Sequence, residues 1–234
     1  MSDRQHYGDN IRHSGKGDIT TGARTQTFGD NSPIGSPIGS PIGQAAPAGG
    51  SRPRTHRSRN VFVVHGRDEQ VRREMFALLR RLDLHPLEWE DLVRATGKAT
   101  PYLGEVVANA PSQAQAAMVL LTPDDVAKLH PQLLDEDEPD YETQLTCQPR
   151  QNVLIELGMV LMAYPERTLI VEVGRLRHVS DTAGLNVIRF DGSATALGKV
   201  VERLKQAECQ VNDTGSDWRD TAPFEHLAAY RRQV

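Results

Sequence analysis

Apolar residues first fall into an ordered pattern at 60–66, NVFVVHG, where a short β-branched run ends in glycine and predicts a strand buried on both faces. DEQVRREMFALLRRLD (68–83) sets Val71, Met75, Leu78, Leu79 and Leu82 at helical spacing, with Asp68 and Glu69 suited to the first turn. LHPLEWED (84–91) reads as a second strand, PYLGEVVANA (101–110) as a helix and AAMVLLTPDD (116–125) as a third strand. RQNVLIELGMVLMAYP (150–165) predicts a helix that is apolar on nearly every side and therefore buried. RTLIVEV (167–173) and NVIRF (186–190) supply a fourth and a fifth strand, and ALGKVVERLKQAE (196–208) a closing amphipathic helix. The alternation predicts an α/β fold: a five-stranded open parallel sheet in the flavodoxin-like order 2-1-3-4-5, with helices on both faces. DWRDTAPFEHLAAYRRQV (217–234) falls outside that pattern and reads as a terminal helix or tail.

Before Asn60 the pattern is missing. Residues 1–59 are rich in Gly, Ser, Thr, Pro and Arg, too polar to offset the entropy of ordering, and are expected to form a disordered leader. Within them an aromatic-Gly-Asp-Asn unit occurs at Tyr7–Asn10 and Phe28–Asn31, and Pro-Ile-Gly recurs at Pro33, Pro37 and Pro41. Such repeats read either as a flexible tail or as a self-assembly segment. Arg52, Arg54, Arg57 and Arg59 form a basic spot that reads as a solvated linker. The expected division is a leader at 1–59, a domain at 60–211 and a tail at 212–234.

Net charge −4 and a pI near 6.1 give no global signal for nucleic acid or a membrane surface. No apolar run approaches the roughly 18 residues of a membrane span, and the polar start is not a secretory signal. Cys147 and Cys209, far apart and outside CxxC spacing, read as free thiols of a reducing cytoplasm and argue against a zinc site. TGKAT (96–100) is not a phosphate loop, because Leu92 and Ala99 stand where glycine and a hydroxyl residue are needed. GxGxxG, GxSxG and HExxH are absent, and His65 and His85 lack metal-ligand spacing.

The residue that breaks the apolar helix is Glu156. An unpaired carboxylate there costs several kcal/mol or takes a raised pKa. A pairing with Arg150 or Arg67 would make it structural; a free carboxylate would make it chemical. Asn152 lies one turn before it on the same face, Arg150 and Gln151 sit at the anion-favouring helix start, and Gly158 leaves room for a close approach. The strand ends add polar groups where a doubly wound sheet presents ligands: His65, Gly66, Arg67 and Asp68; Trp89, Glu90 and Asp91; Thr122, Pro123, Asp124 and Asp125.

VFVVHGRDE, VLLTPDD and RQNVLIELG, in this order, resemble the TIR-like domains of bacterial anti-phage effectors of the CBASS and Pycsar type, across about Asn60 to Val211. The resemblance implies a flavodoxin-like TIR fold, cleavage of NAD to nicotinamide and an ADP-ribose product, and an essential glutamate at Glu156. It implies no cofactor beyond NAD as substrate, and activation by homo-oligomerisation. RATGKATPYLGE (94–105) would correspond to the mobile loop beside the site. Gln151 and Asn152 would then orient ribose or the glutamate, Arg67 and Lys98 would meet the pyrophosphate, and Trp89 would stack on a ring. Gly66, Asp68, Thr122 and Asp124 would complete the pocket. The plainer readings are a helix cap for Asn152, surface charges for the cations and a core position for Trp89. Relatives of this type commonly carry a sensor domain, and nothing of that size is present here, so the sensor is expected to be a separate protein or the leader itself drives assembly. The acidic run DEDEPDYE (135–142) reads as a solvated loop able to gate the pocket. Two other functions compete: a nucleoside deoxyribosyltransferase-like enzyme and a non-catalytic nucleotide-binding TIR adaptor.

Overall fold

A computed structural model describes residues 57–177, 179 and 184–234; the repeats and Arg52 and Arg54 lie outside the described residues. The first half runs β1 (Asn60–Val64), α1 (Glu69–Arg81), β2 (His85–Leu87), α2 (Trp89–Ala95), α3 (Leu103–Gln113) and β3 (Ala116–Leu121). A hairpin follows, β4 (Asp125–Ala127) and β5 (Thr146–Gln148), enclosing the short α4 (Asp140–Thr143). The second half is α5 (Gln151–Ala163), β6 (Thr168–Val173), β7 (Ile188–Phe190) and α6 (Ala194–Gln206).

The main sheet has the order β2-β1-β3-β6-β7 with every pair parallel, which is the 2-1-3-4-5 arrangement read from the alternation. Strand periodicity sorts the side chains. Val61 and Val63 of β1 and Met118 of β3 pack with α1 and α6, while Phe62, Val64, Ala117 and Val119 pack with α2, α3 and α5. β3 is buried at all six positions because both its faces are covered, which explains its unbroken apolar run.

Four expectations are corrected. The second strand ends at Leu87, because Glu88 and Asp91 form a reciprocal capping box that starts α2; Trp89, Glu90 and Asp91 therefore open a helix instead of a strand-end loop. Asp125 belongs to the β4–β5 hairpin; the acidic run within that hairpin is the mostly exposed loop expected of it up to Pro139, and its end enters α4. α5 is not buried all round: Ile155 is 57% and Met162 86% exposed. The C-terminal stretch forms no α-helix. Three short 3-10 turns (Asp217–Arg219, Ala222–Phe224, Ala228–Tyr230) bury Trp218, Phe224, Leu227 and Ala229 in the α1–α6 core.

The docking of that segment is specific. The Ala228 N–H donates to Gln70 Oε1 at 2.9 Å, and Arg81 Nη1 donates to the Asp217 carbonyl at 3.1 Å. Gly192, at φ +78°, leaves the space in which a Cβ would stand 2.8 Å from the Phe224 carbonyl oxygen. Removing a fully buried ring costs about 3–5 kcal/mol. Phe224→Ala is accordingly expected to lower the unfolding free energy by that order without changing the fold, read by circular dichroism as a urea midpoint lower by roughly 1–3 M; an unchanged midpoint would show that the segment is not part of the core.

Candidate functional site

The carboxyl edge between β1 and β3 is where the connections diverge, α1 to one face and α5 to the other. Five of the residues read as a site meet there. Asp124 Oδ2 accepts from the Arg67 backbone N–H at 2.9 Å, and Asp124 Oδ1 accepts from Thr122 Oγ1 at 2.9 Å. Gly66 lies so close that a Cβ on it would collide with the Asp124 carboxylate. Asp68 caps α1, accepting from the Val71 N–H at 3.0 Å. Its other oxygen, fully buried, lies 2.9 Å from Arg232 Nη1 in a charge contact off hydrogen-bond alignment. Arg232 Nη1 also donates to the Pro123 carbonyl at 3.1 Å. Arg232 went unnoticed in the sequence: its only signal was a pair of arginines near the end of an irregular segment.

The same edge leads into α5. The Asp124 N–H donates to the Gln148 carbonyl at 3.2 Å, two residues before the Arg150 N-cap, so the β3 loop sets where the helix begins. α5 turns Val153, Leu157 and Val160 to the sheet. Leu154 and Leu161 flank them; Leu161 lines a small cavity with Ile170, Leu185 and Ile188, which marks that flank as the β6–β7 side. Glu156, two residues after Leu154 and so about 200° around the helix, takes the opposite flank, on the side where α3 packs.

Glu156 is half-buried, and burial alone raises its carboxyl above the ordinary glutamate value. Neither Arg150 nor Arg67 pairs with it: among the described residues Glu156 has no hydrogen bond or ion pair. Gln151 and Asn152 are exposed in the first turn above it, and Asn152 is not the cap, since Arg150 occupies that position without a side-chain bond. Gly158 is exposed, with nothing within 4 Å of where a Cβ would stand, so its gap opens to solvent.

Trp89 and Lys98 stand differently. Trp89 packs on Phe62 with ring centroids 6.2 Å apart and joins the core beside α2, its ring partly exposed. Lys98 Nζ donates to both carboxylate oxygens of Glu105, at 2.8 and 2.9 Å, and holds that carboxyl below its usual range. A cavity of about 810 Å³ lies on the β6–β7 side, lined by Leu121, Glu172, Arg177, Arg189 and Lys199, and does not include Glu156. Both cysteines are buried and unpaired, and burial pushes the Cys209 thiol up to about 12, an inert state. Among the described residues no helix is long and apolar enough to cross a membrane.

A family model described as CAP12/Pycsar effector protein, TIR domain, matches residues 60–192, more than half of the 234-residue chain. The chain belongs to that family of effector TIR domains. No curated protein matches it. The matched stretch holds β1 to β7 and α5 with Glu156, and stops before α6 and the docked C-terminal turns.

The raised carboxyl has a consequence for stability. Below the ordinary glutamate value of 4.5 the group is protonated in both folded and unfolded chains and costs nothing. As pH rises past that value the unfolded chain ionises first, and above the raised folded value the native state carries the full cost of the half-buried charge. Glu156→Gln should therefore be more stable than wild type at pH 7, by up to a few degrees in Tm, with the advantage vanishing on acidification below 4.5. Thermal melts across pH check this; a variant less stable at pH 7 would mean that Glu156 has a stabilising partner.

Proposed function

We propose that this protein is an anti-phage effector that hydrolyses NAD to nicotinamide and ADP-ribose, with Glu156 as its catalytic residue. The observation that carries the reading is the unpaired, half-buried Glu156 on the helix of the RQNVLIELG motif, inside the stretch shared with effector TIR domains. A group kept at a cost to stability, with no structural partner, is what a reactive site requires.

One carboxylate suffices for this reaction. Breaking the bond between ribose C1′ and the nicotinamide nitrogen sends its electron pair to that nitrogen, so a cationic pyridinium leaves as a neutral base. The general acid that most glycosidases need is dispensable. What remains is an electron-poor ribosyl centre, which an ionised Glu156 in a poorly solvated flank stabilises directly. The oxygen of water then bonds to C1′, and the water proton passes to solvent or to Glu156. Asn152, one turn before Glu156 on the same flank, would hold ribose hydroxyls, and Gln151 would do so from the exposed start of the helix. Arg67, exposed and without a side-chain partner among the described residues, meets the pyrophosphate. Lys98 joins it only by leaving Glu105, and Trp89 contributes through the partly exposed part of its ring. Self-association through the TIR domain, with or without a separate sensor protein, completes the active state.

Purified protein at high concentration is expected to release nicotinamide from NAD at a rate that rises more than linearly with enzyme concentration. Glu156→Gln should lower that rate by about 10²-fold or more while binding is retained. Exchange of bases between deoxynucleosides without NAD loss would instead favour a deoxyribosyltransferase. Nucleotide binding with no turnover, even in a forced oligomer, would make the chain an adaptor.

A further inference from the structure

Six residues make up the edge cluster: Gly66, Arg67, Asp68, Thr122, Pro123 and Asp124. Almost all of its hydrogen-bonding capacity is used internally. Asp68 is committed to the α1 cap and to Arg232, Thr122 to Asp124, and the Pro123 carbonyl to Arg232. Asp124 divides its carboxylate between Thr122 and the Arg67 backbone, and its own N–H reaches Gln148 at 3.2 Å. The one side chain of the cluster with neither a partner nor a place in the core is that of Arg67, which is exposed.

This arrangement distinguishes holding a substrate from holding a loop. A carboxylate that met the substrate's phosphates would repel them, and this one already has an N–H and an O–H as donors. Its Oδ2 also occupies the space a side chain at residue 66 would fill, so Gly66 is required for volume, its φ lying outside the left-handed region. The carboxylate and the missing Cβ are complementary shapes. Together they tie the loop after β1 to the loop after β3, while the Asp124 backbone N–H separately reaches Gln148, just before the helix that carries Glu156.

The geometry points to Asp124 as a positioning residue, acting through the Gly66–Arg67 backbone to set the Arg67 guanidinium relative to Glu156 for the pyrophosphate of the dinucleotide. This rests on the NAD reading above for its substrate, while the lock itself stands apart from that reading and can be tested without it.

Two readouts keep the two claims separate. The first needs no activity: amide hydrogen exchange at Arg67, followed by NMR in the full chain. Asp124→Ala should raise exchange at Arg67 by about tenfold or more, leaving the β3 amides protected, and Asp124→Asn, which keeps an acceptor, should restore most of the protection. Unchanged Arg67 exchange in Asp124→Ala would overturn the lock, whatever the enzyme does. The second readout is the KM-against-kcat split for NAD. Asp124→Ala should raise KM by about tenfold with a smaller change in kcat, the pattern of lost ground-state binding, whereas Glu156→Gln lowers kcat. A loss confined to kcat in Asp124→Ala would overturn the positioning role.

Gly66→Ala supplies the steric half of the test. Alone it should disturb Arg67 exchange as much as Asp124→Ala does, because its methyl displaces the carboxylate. Combined with Asp124→Ala it should add little, since the space is then vacant. Additive effects would contradict the complementarity. Arg67→Ala should show the same KM increase as Asp124→Ala, and the double variant no more than either. Should no NAD be cleaved under any condition, binding of ADP-ribose to the wild type and Asp124→Ala, read by calorimetry, replaces the kinetics: about tenfold weaker binding supports the role, and equal binding overturns it.

Discussion

A parallel sheet wound in both directions must part its connections at one place, and in this protein the parting lies between β1 and β3. The chain passes from β1 to α1 on one face and from β3 towards α5 on the other, so the two loops have no strand ladder to hold them together. The rest of the site depends on how that opening is bridged. Asp124 joins the two loops through side-chain acceptors, and Arg232 spans Asp68 and Pro123 from the far end of the chain. Beside that bridge the Asp124 backbone N–H donates to the Gln148 carbonyl, two residues before the Arg150 N-cap of the helix that carries Glu156. The C-terminal turns are thus structural for the site although they lie beyond the residues shared with effector TIR domains.

Beside this edge, Glu156 stands with neither a hydrogen bond nor an ion pair among the described residues. Most of the cluster's buried or half-buried polar groups find partners, yet the one carboxylate on an otherwise apolar helix finds none and is held away from its ordinary ionisation. A folded chain keeps local conflicts where function needs them, and an uncharged side chain such as glutamine at that position would avoid the cost of the half-buried charge. Glu156 is only half-buried, and Asn152, one turn before it on the same flank, is exposed. α5 also leaves Ile155 and Met162 outside, so the helix is neither a core helix nor an ordinary amphipathic one.

Much of this was legible from residue types alone, and the failures have physical causes. The strands β1, β3 and β6 are long apolar runs that no other element could absorb, and they came out in the right order. Glu156 stood out because a single charge interrupts twelve residues of apolar helix. β2 was overrun because LHPLEWED was read as one strand, while the capping box of Glu88 and Asp91, three residues apart within the same segment, starts a helix there. The β4–β5 hairpin is three residues a side and stabilised by pairing, which leaves no periodicity to read. The exposure of Ile155 and Met162 was invisible because a helix apolar on all sides does not say which side is covered. The C-terminal turns were missed for a related reason: single buried side chains such as Phe224 anchor irregular backbone without any repeat. Arg232 and the roles of Gly66 and Asp124 are tertiary facts, set by residues more than fifty positions apart meeting at one edge.

The central claim is that an ionised Glu156, raised by burial and free of partners, drives the cleavage. The rate of nicotinamide release at saturating NAD, measured against pH on protein concentrated enough to assemble, tests it most directly. The account predicts a plateau at neutral pH and a fall on acidification whose midpoint lies above the ordinary glutamate value of 4.5, a limb that belongs to the carboxylate and reflects its burial. A rate that holds steady down through 4.5, or rises as the pH falls, would contradict it.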